Sequence, residues 1–180
     1  MTEFFLQLAL EVVLSVVTGM CVLGVAPVLR RLFKKTSIED ITPEWVESFS
    51  VERYRPMAGL LSDEDFAFLS RQPGFDASIY RKLRRERLVI FEQYLNRLIL
   101  DFKKLHVTAR YLVAQSEEDH SDLAMSLIRL RLSFAMNVVA VQMRFQFFKL
   151  GVGRVNTQIL IGKLQQMSEQ LNLAAVPQAV

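Results

Sequence analysis

One cysteine, two histidines, seven glycines and five prolines are spread over 180 residues. The lone Cys21 leaves no disulfide framework and no cysteine-based zinc site. With only His106 and His120 as candidate bases, no nucleophile–base–acid arrangement can be assembled from the pattern. Gly151-Val152-Gly153 stops short of the phosphate-loop and dinucleotide fingerprints. Glu117-x-x-His120 has half the spacing of a di-metal carboxylate site. The second half is missing, because Lys103 stands three residues before His106. The acids around His120 read as a solvated turn, and no metal or cofactor is expected. No internal repeat or low-complexity tract appears. An enzyme would need a site gathered from scattered residues such as Glu118, His120 and Arg129, and nothing in the pattern gathers them.

Charge is absent where apolar residues are dense. Residues 4–29 contain one charged side chain, Glu11, and no Lys or Arg precedes Arg30. About 20 apolar residues suffice for a helix to cross a hydrocarbon core of about 30 Å. A helix also pairs its own backbone groups, as lipid requires. Arg30, Arg31, Lys34 and Lys35 follow at once, so the bias of basic residues toward the cytoplasm predicts an outside N-terminus and a cytoplasmic body. Two alternatives compete. A cleaved signal peptide is opposed by the missing basic leader and by Pro27, just after the small residues Gly24-Val25-Ala26. A buried helix of a soluble core is opposed by the length of the uncharged run. Ser15 and Gly19 have the small-xxx-small spacing that lets membrane helices approach, a common incidental pattern.

The remainder favours helix, being rich in Leu, Arg, Gln, Glu and Met, which lose little rotamer freedom there. Thr42-Pro43-Glu44 predicts a cap and first turn of a short helix whose apolar face holds Trp45, Val46 and Phe49. Trp45 suits either a membrane interface or packing on the body. Residues 51–59 look irregular because of Pro56 and Gly59. Ser62 predicts the cap of a short helix bearing Phe66, Phe68 and Leu69, closed by Gln72-Pro73-Gly74. Residues 54–75 are expected to fold over the long helices as a cap. Asp76 then caps a long helix to about Gln115. Its seam, Leu88, Phe91, Leu95, Leu98, Phe102, Leu105, Ala109 and Leu112, advances in steps of three and four.

After a polar turn at 116–122, a second long helix runs to about Leu150. One of its sides holds Leu123, Leu127, Leu130, Phe134, Val138, Val141, Phe145 and Phe148. Another holds Met125, Ile128, Leu132, Ala135 and Val139, so burial around most of its circumference is expected. Its uncharged window, 132–143, is short for a membrane span and is bracketed by Arg129, Arg131, Arg144 and Lys149. Asn137 lies near this seam, where it can set register or bond a backbone carbonyl. Gly151 and Gly153 end the helix. A third begins near Asn156 and carries Leu160, Leu164, Met167 and Leu171.

The expected architecture is all-α: one N-terminal transmembrane helix, short capping helices and an antiparallel bundle of long helices. The divisions are anchor and basic flank 1–35, juxtamembrane segment 36–75, bundle 76–173 and tail 174–180. Glu3 and Glu11 are the only charges in residues 1–29, so the rest of the chain carries +5. Arg81, Lys82, Arg84, Arg85 and Arg87 concentrate that charge near a helix N-terminus, where the backbone dipole disfavours cations. An anionic lipid surface or an acidic partner would compensate, and a solvated basic stretch is the plainer account. Aromatic residues are too few there for nucleic-acid stacking. The expected function is a non-enzymatic, membrane-anchored scaffold, adaptor or self-association module working through the anchor or the 88–112 seam with a copy of itself or a helical partner. The alternative is a sensor of anionic lipid.

Overall fold

The computed structural model describes residues 2–34, 41–62, 68, 71–73, 76–115 and 121–175. Every regular element among them is helical: α1 Thr2–Phe33, α2 Pro43–Glu47, a 3-10 helix Val51–Ala58, α3 Ala77–Gln115, α4 Ser121–Lys149 and α5 Gln158–Ala175. Most of the 62–75 segment, the Glu117 and His120 pair and the end of the tail lie outside the described residues.

Helix ends follow local chemistry. The Thr42 hydroxyl accepts from the Trp45 N–H at 3.3 Å, with Pro43 in the first turn. The Ser78 hydroxyl donates to the Asp76 carboxylate, as does the Ser78 N–H at 2.9 Å, and together they hold the Asp76 pKa below the usual carboxylate value. At the end of α4, Gly151 takes φ +85°. The Gly151 N–H donates to Phe148 O and the Val152 N–H to Phe147 O, both at 3.0 Å. These are the two bonds of a glycine-terminated helix, and they leave fewer carbonyls without donors.

The core joins all the long helices. Phe91, Leu95, Leu98, Phe102 and Leu105 of α3 meet Leu127, Phe134, Val138 and Phe145 of α4 and Leu160, Leu164 and Met167 of α5, all nearly inaccessible. Each such side chain contributes about 1.5–3 kcal/mol of transfer free energy. Ring pairs set the register of α3 on α4. Phe91 and Phe145 lie 4.7 Å apart, and Phe102 stacks on Phe134 at 3.6 Å, so the two helices run in opposite directions. Ser126 of α4 donates to Gln170 of α5 at 3.2 Å.

Two expectations change. The 88–112 seam is consumed within the chain: Phe91, Leu95, Leu98, Phe102 and Leu105 are buried, while Leu88 and Leu112 are half-buried against the same core. It is therefore not open for a partner. Residues 51–58 form a 3-10 helix that buries Tyr54 and Met57 beside α3 and α5, because Pro56 is tolerated in one tight turn. Val28 and Leu32 of α1 also belong to the core.

Candidate functional site

α1 has two unlike parts. In the first, Phe4, Phe5, Leu6, Leu8, Leu10, Val12, Leu14 and Val22 are 50–74% exposed. Phe4, Phe5 and Leu6 are consecutive, and a helix turns about 100° per residue, so this part is open on several sides. In the second, the chain docks. A Cβ at Gly24 would collide with the Gln146 side chain, so glycine permits close approach to α4. Pro27 weakens the helical ladder here, and the Gln142 amide donates to the nearby Gly24 carbonyl at 3.1 Å. Val28 and Leu32 then enter the core, and Arg31 donates to Asn96 of α3. Lys103 of α3 closes the end, donating to Arg31 O at 2.9 Å and Lys34 O at 2.5 Å. A cation there satisfies orphan carbonyls and complements the helix dipole. Burial, Arg131 and Lys34 lower the Lys103 pKa.

These contacts give α1 a direction. Gly24 sits beside Gln142 and Gln146, whereas residues 31–34 reach Asn96 and Lys103, next to the Phe102–Phe134 pair. α1 therefore runs opposite to α4, and its exposed part points past the α4 C-terminus.

The basic cluster lies at that same end but is not one uniform surface. Arg84 donates to the Phe148 carbonyl at 2.8 Å and covers the Phe148 ring at 5.6 Å, capping α4. Arg87 is half-buried. The expected lipid or partner role thus narrows to Arg81, Lys82 and Arg85, which are exposed. Lys149 pairs with Glu92 at 3.8 Å.

On α4, the side expected to be buried is open. Met125, Ile128, Leu132, Met136 and Met143 are 39–62% exposed, because one α1 segment and α5 cover only the flanks. Arg129 and Arg144 border this stripe, and no acid follows Asp122 on the helix. A shallow groove of about 450 Å³ lies beside it, lined by Asp122, Ser126, Arg129, Ser133, Lys163 and Gln166 among others. Among the described residues α4 is long and apolar enough to cross a membrane, a test that the core helix of a soluble body also passes, and its other face lines the core. Asn137 donates to the Ser133 carbonyl at 2.7 Å and so serves α4 itself.

A buried carboxylate sits at Asp101, which the apolar spacing of α3 did not anticipate. The Tyr54 hydroxyl donates to Asp101 Oδ2 at 2.5 Å, with Arg97 at 3.4 Å and Arg53 at 3.9 Å. Burial and the Asp101 carboxylate push the Tyr54 phenol well above its ordinary pKa, so it stays a donor. An acid between Leu100 and Phe102 was the available clue. The cluster pins the 3-10 helix to α3. Trp45 packs on the body, with Lys104 over its ring at 4.8 Å. Among the described residues no group of His, Cys, Asp or Glu could hold a metal. No family model, curated protein or solved structure matches the chain.

Proposed function

We propose that this chain is a non-enzymatic, single-pass membrane protein whose antiparallel helical body works as a scaffold or adaptor on the cytoplasmic face. The carrying observation is the exposed first part of α1. The 22 positions from 2 to 23 rise about 33 Å, the thickness of a hydrocarbon core. Apolar side chains open on several sides of a helix need lipid or protein around them. Arg30, Arg31 and Lys34 follow on the docked side, in keeping with a cytoplasmic body. α4 is assigned to the body because its core face packs on α3 and α5.

The scaffold role rests on the α4 stripe. Two copies anchored in one membrane share an orientation. A symmetric pair along α4 would lay each arginine beside its own copy, with no acid in reply beyond Asp122. The better match is a helix whose apolar residues are flanked by carboxylates that meet Arg129 and Lys163, although methionine-rich surfaces adapt to several shapes. Two measurements test this. Membranes washed at alkaline pH should retain the full chain, and its release would refute the anchor. A photo-crosslinker at Leu132 should capture an acid-bearing helical chain; crosslinks only between copies would replace that adaptor by a self-association module.

A further inference from the structure

Several independent features meet at the end of the bundle from which the free part of α1 emerges. The last turns of α4 touch Gly24 through Gln142 and Gln146, and touch the start of α3 through Phe148 and Lys149. α3 runs opposite to α4, so residues before Arg84 extend past the α4 C-terminus, in the direction that α1 takes. Arg81, Lys82 and Arg85 are exposed there and fall within an arc of about 100° on α3. Arg154 is exposed on the loop that follows α4. Three large apolar side chains are exposed on the same elements: Ile79 at 62%, Leu150 at 54% and Val152 at 61%. Of the nearby acids, Asp76 is bonded to Ser78 and Glu92 to Lys149, while Glu86 is exposed. Cations interleaved with exposed apolar tips, around the exit of an apolar helix, match the chemistry of a bilayer surface: anionic phosphates above, acyl chains just below.

We propose that this end of the bundle is a headgroup-binding face, in which Arg81, Lys82, Arg85 and Arg154 contact anionic lipid phosphates while Ile79, Leu150 and Val152 enter the interface. The inference rests on the membrane reading of α1 and adds a lipid preference and a fixed stance of the body to it. Arg84 has no part in this face, because it caps α4.

The test uses the full chain reconstituted into vesicles of phosphatidylcholine alone or with phosphatidylglycerol, with flotation scored in the same samples. Cys21 is replaced by Ser, and an environment-sensitive fluorophore is placed at Val152→Cys or, as control, at Leu173→Cys. Leu173 is exposed near the opposite end, because Gln170 meets Ser126 at the start of α4. The expected result is flotation in both lipids, with a blue shift at 152 several-fold larger in the anionic vesicles. That difference should fade in molar salt, where screening shortens to about 3 Å, and vanish in R81Q/K82Q/R85Q. The 173 signal should not respond. Flotation with an equal signal at 152 in both lipids, or an equal response at 173, overturns the headgroup face and leaves the anchor standing. Flotation only with anionic vesicles, released by salt, supports the face and overturns the anchor. Failure to float in either overturns both.

Discussion

α1 and α4 are both long and apolar, yet they spend their apolar residues differently. α4 carries two apolar faces. Leu127, Phe134, Val138 and Phe145 fill the core, whereas Met125, Ile128, Leu132 and Met136 stay exposed. α1 is divided along its length instead: its described side chains are exposed up to Val22, and the helix docks from Gly24 onward. Composition alone does not separate the two cases. The difference lies in what interrupts the apolar run. α4 is punctuated by Arg129, Arg131 and Arg144, and Gln142 and Gln146 bring amides to the α1 contact. Between Glu11 and Arg30, α1 has no charge at all. Gly24 and Pro27 mark where its surroundings change.

The comparison breaks most visibly through α1. Leu10→Arg with Leu14→Arg places two cations in the proposed hydrocarbon segment, at about 2.5–3.5 kcal/mol each, and membrane sedimentation should show the protein lost from the pellet. The same change should leave the body's melting temperature almost unmoved. Next in size is Phe134→Ala, which removes a ring stacked on Phe102 and should destabilise the body by about 3–5 kcal/mol in denaturant unfolding. Leu132→Ala, two residues away on the open face, should cost under about 0.5 kcal/mol. Equal effects at 132 and 134 would dissolve the two-faced description of α4.

A pH titration comes next. Burial, then Arg131 and Arg110, push His106 down to about 4, while a backbone hydrogen bond at Leu127 pulls the other way. The unfolded chain, near 6.5, therefore binds more protons than the folded one between about pH 4 and 6.5. Stability is full above that window and falls as pH drops through it, by roughly 2–3 kcal/mol. His106→Leu should flatten this slope in thermal unfolding. Smaller than the His106 effect is that of Tyr54→Phe. It removes a donor from the buried Asp101 and should cost about 1–2 kcal/mol, with faster exchange of the amides in 51–58.

Much of the helical layout was legible from spacing. The α3 seam, the Asp76 and Thr42 caps and the Leu160, Leu164, Met167, Leu171 stripe each depend on neighbours close in sequence, where periodicity and capping chemistry act. The surfaces were less legible, because exposure depends on which partner helix arrives. Spacing puts Leu130 and Leu132 on different sides of α4, both of them apolar, yet only Leu130 is buried. Arg84 and Arg85 are likewise neighbours of one type, and only the position of the Phe148 carbonyl makes one a cap and leaves the other free. The 3-10 helix was misread because Pro56 and Gly59 signal a break, whereas the burial of Tyr54 requires Asp101 from 47 residues away.

The central claim is that one helix passes from hydrocarbon into the packed body near Gly24. Spin labels placed singly along residues 4–32, in a chain with Cys21 replaced by Ser and reconstituted in vesicles, read this directly from accessibility to oxygen and to a water-soluble nickel complex. Labels at 6, 10, 14 and 22 should admit oxygen and exclude nickel, while labels at 28 and 32 should be shielded from both. Nickel reaching positions 10 and 14 as freely as the exposed Leu173 would contradict the account.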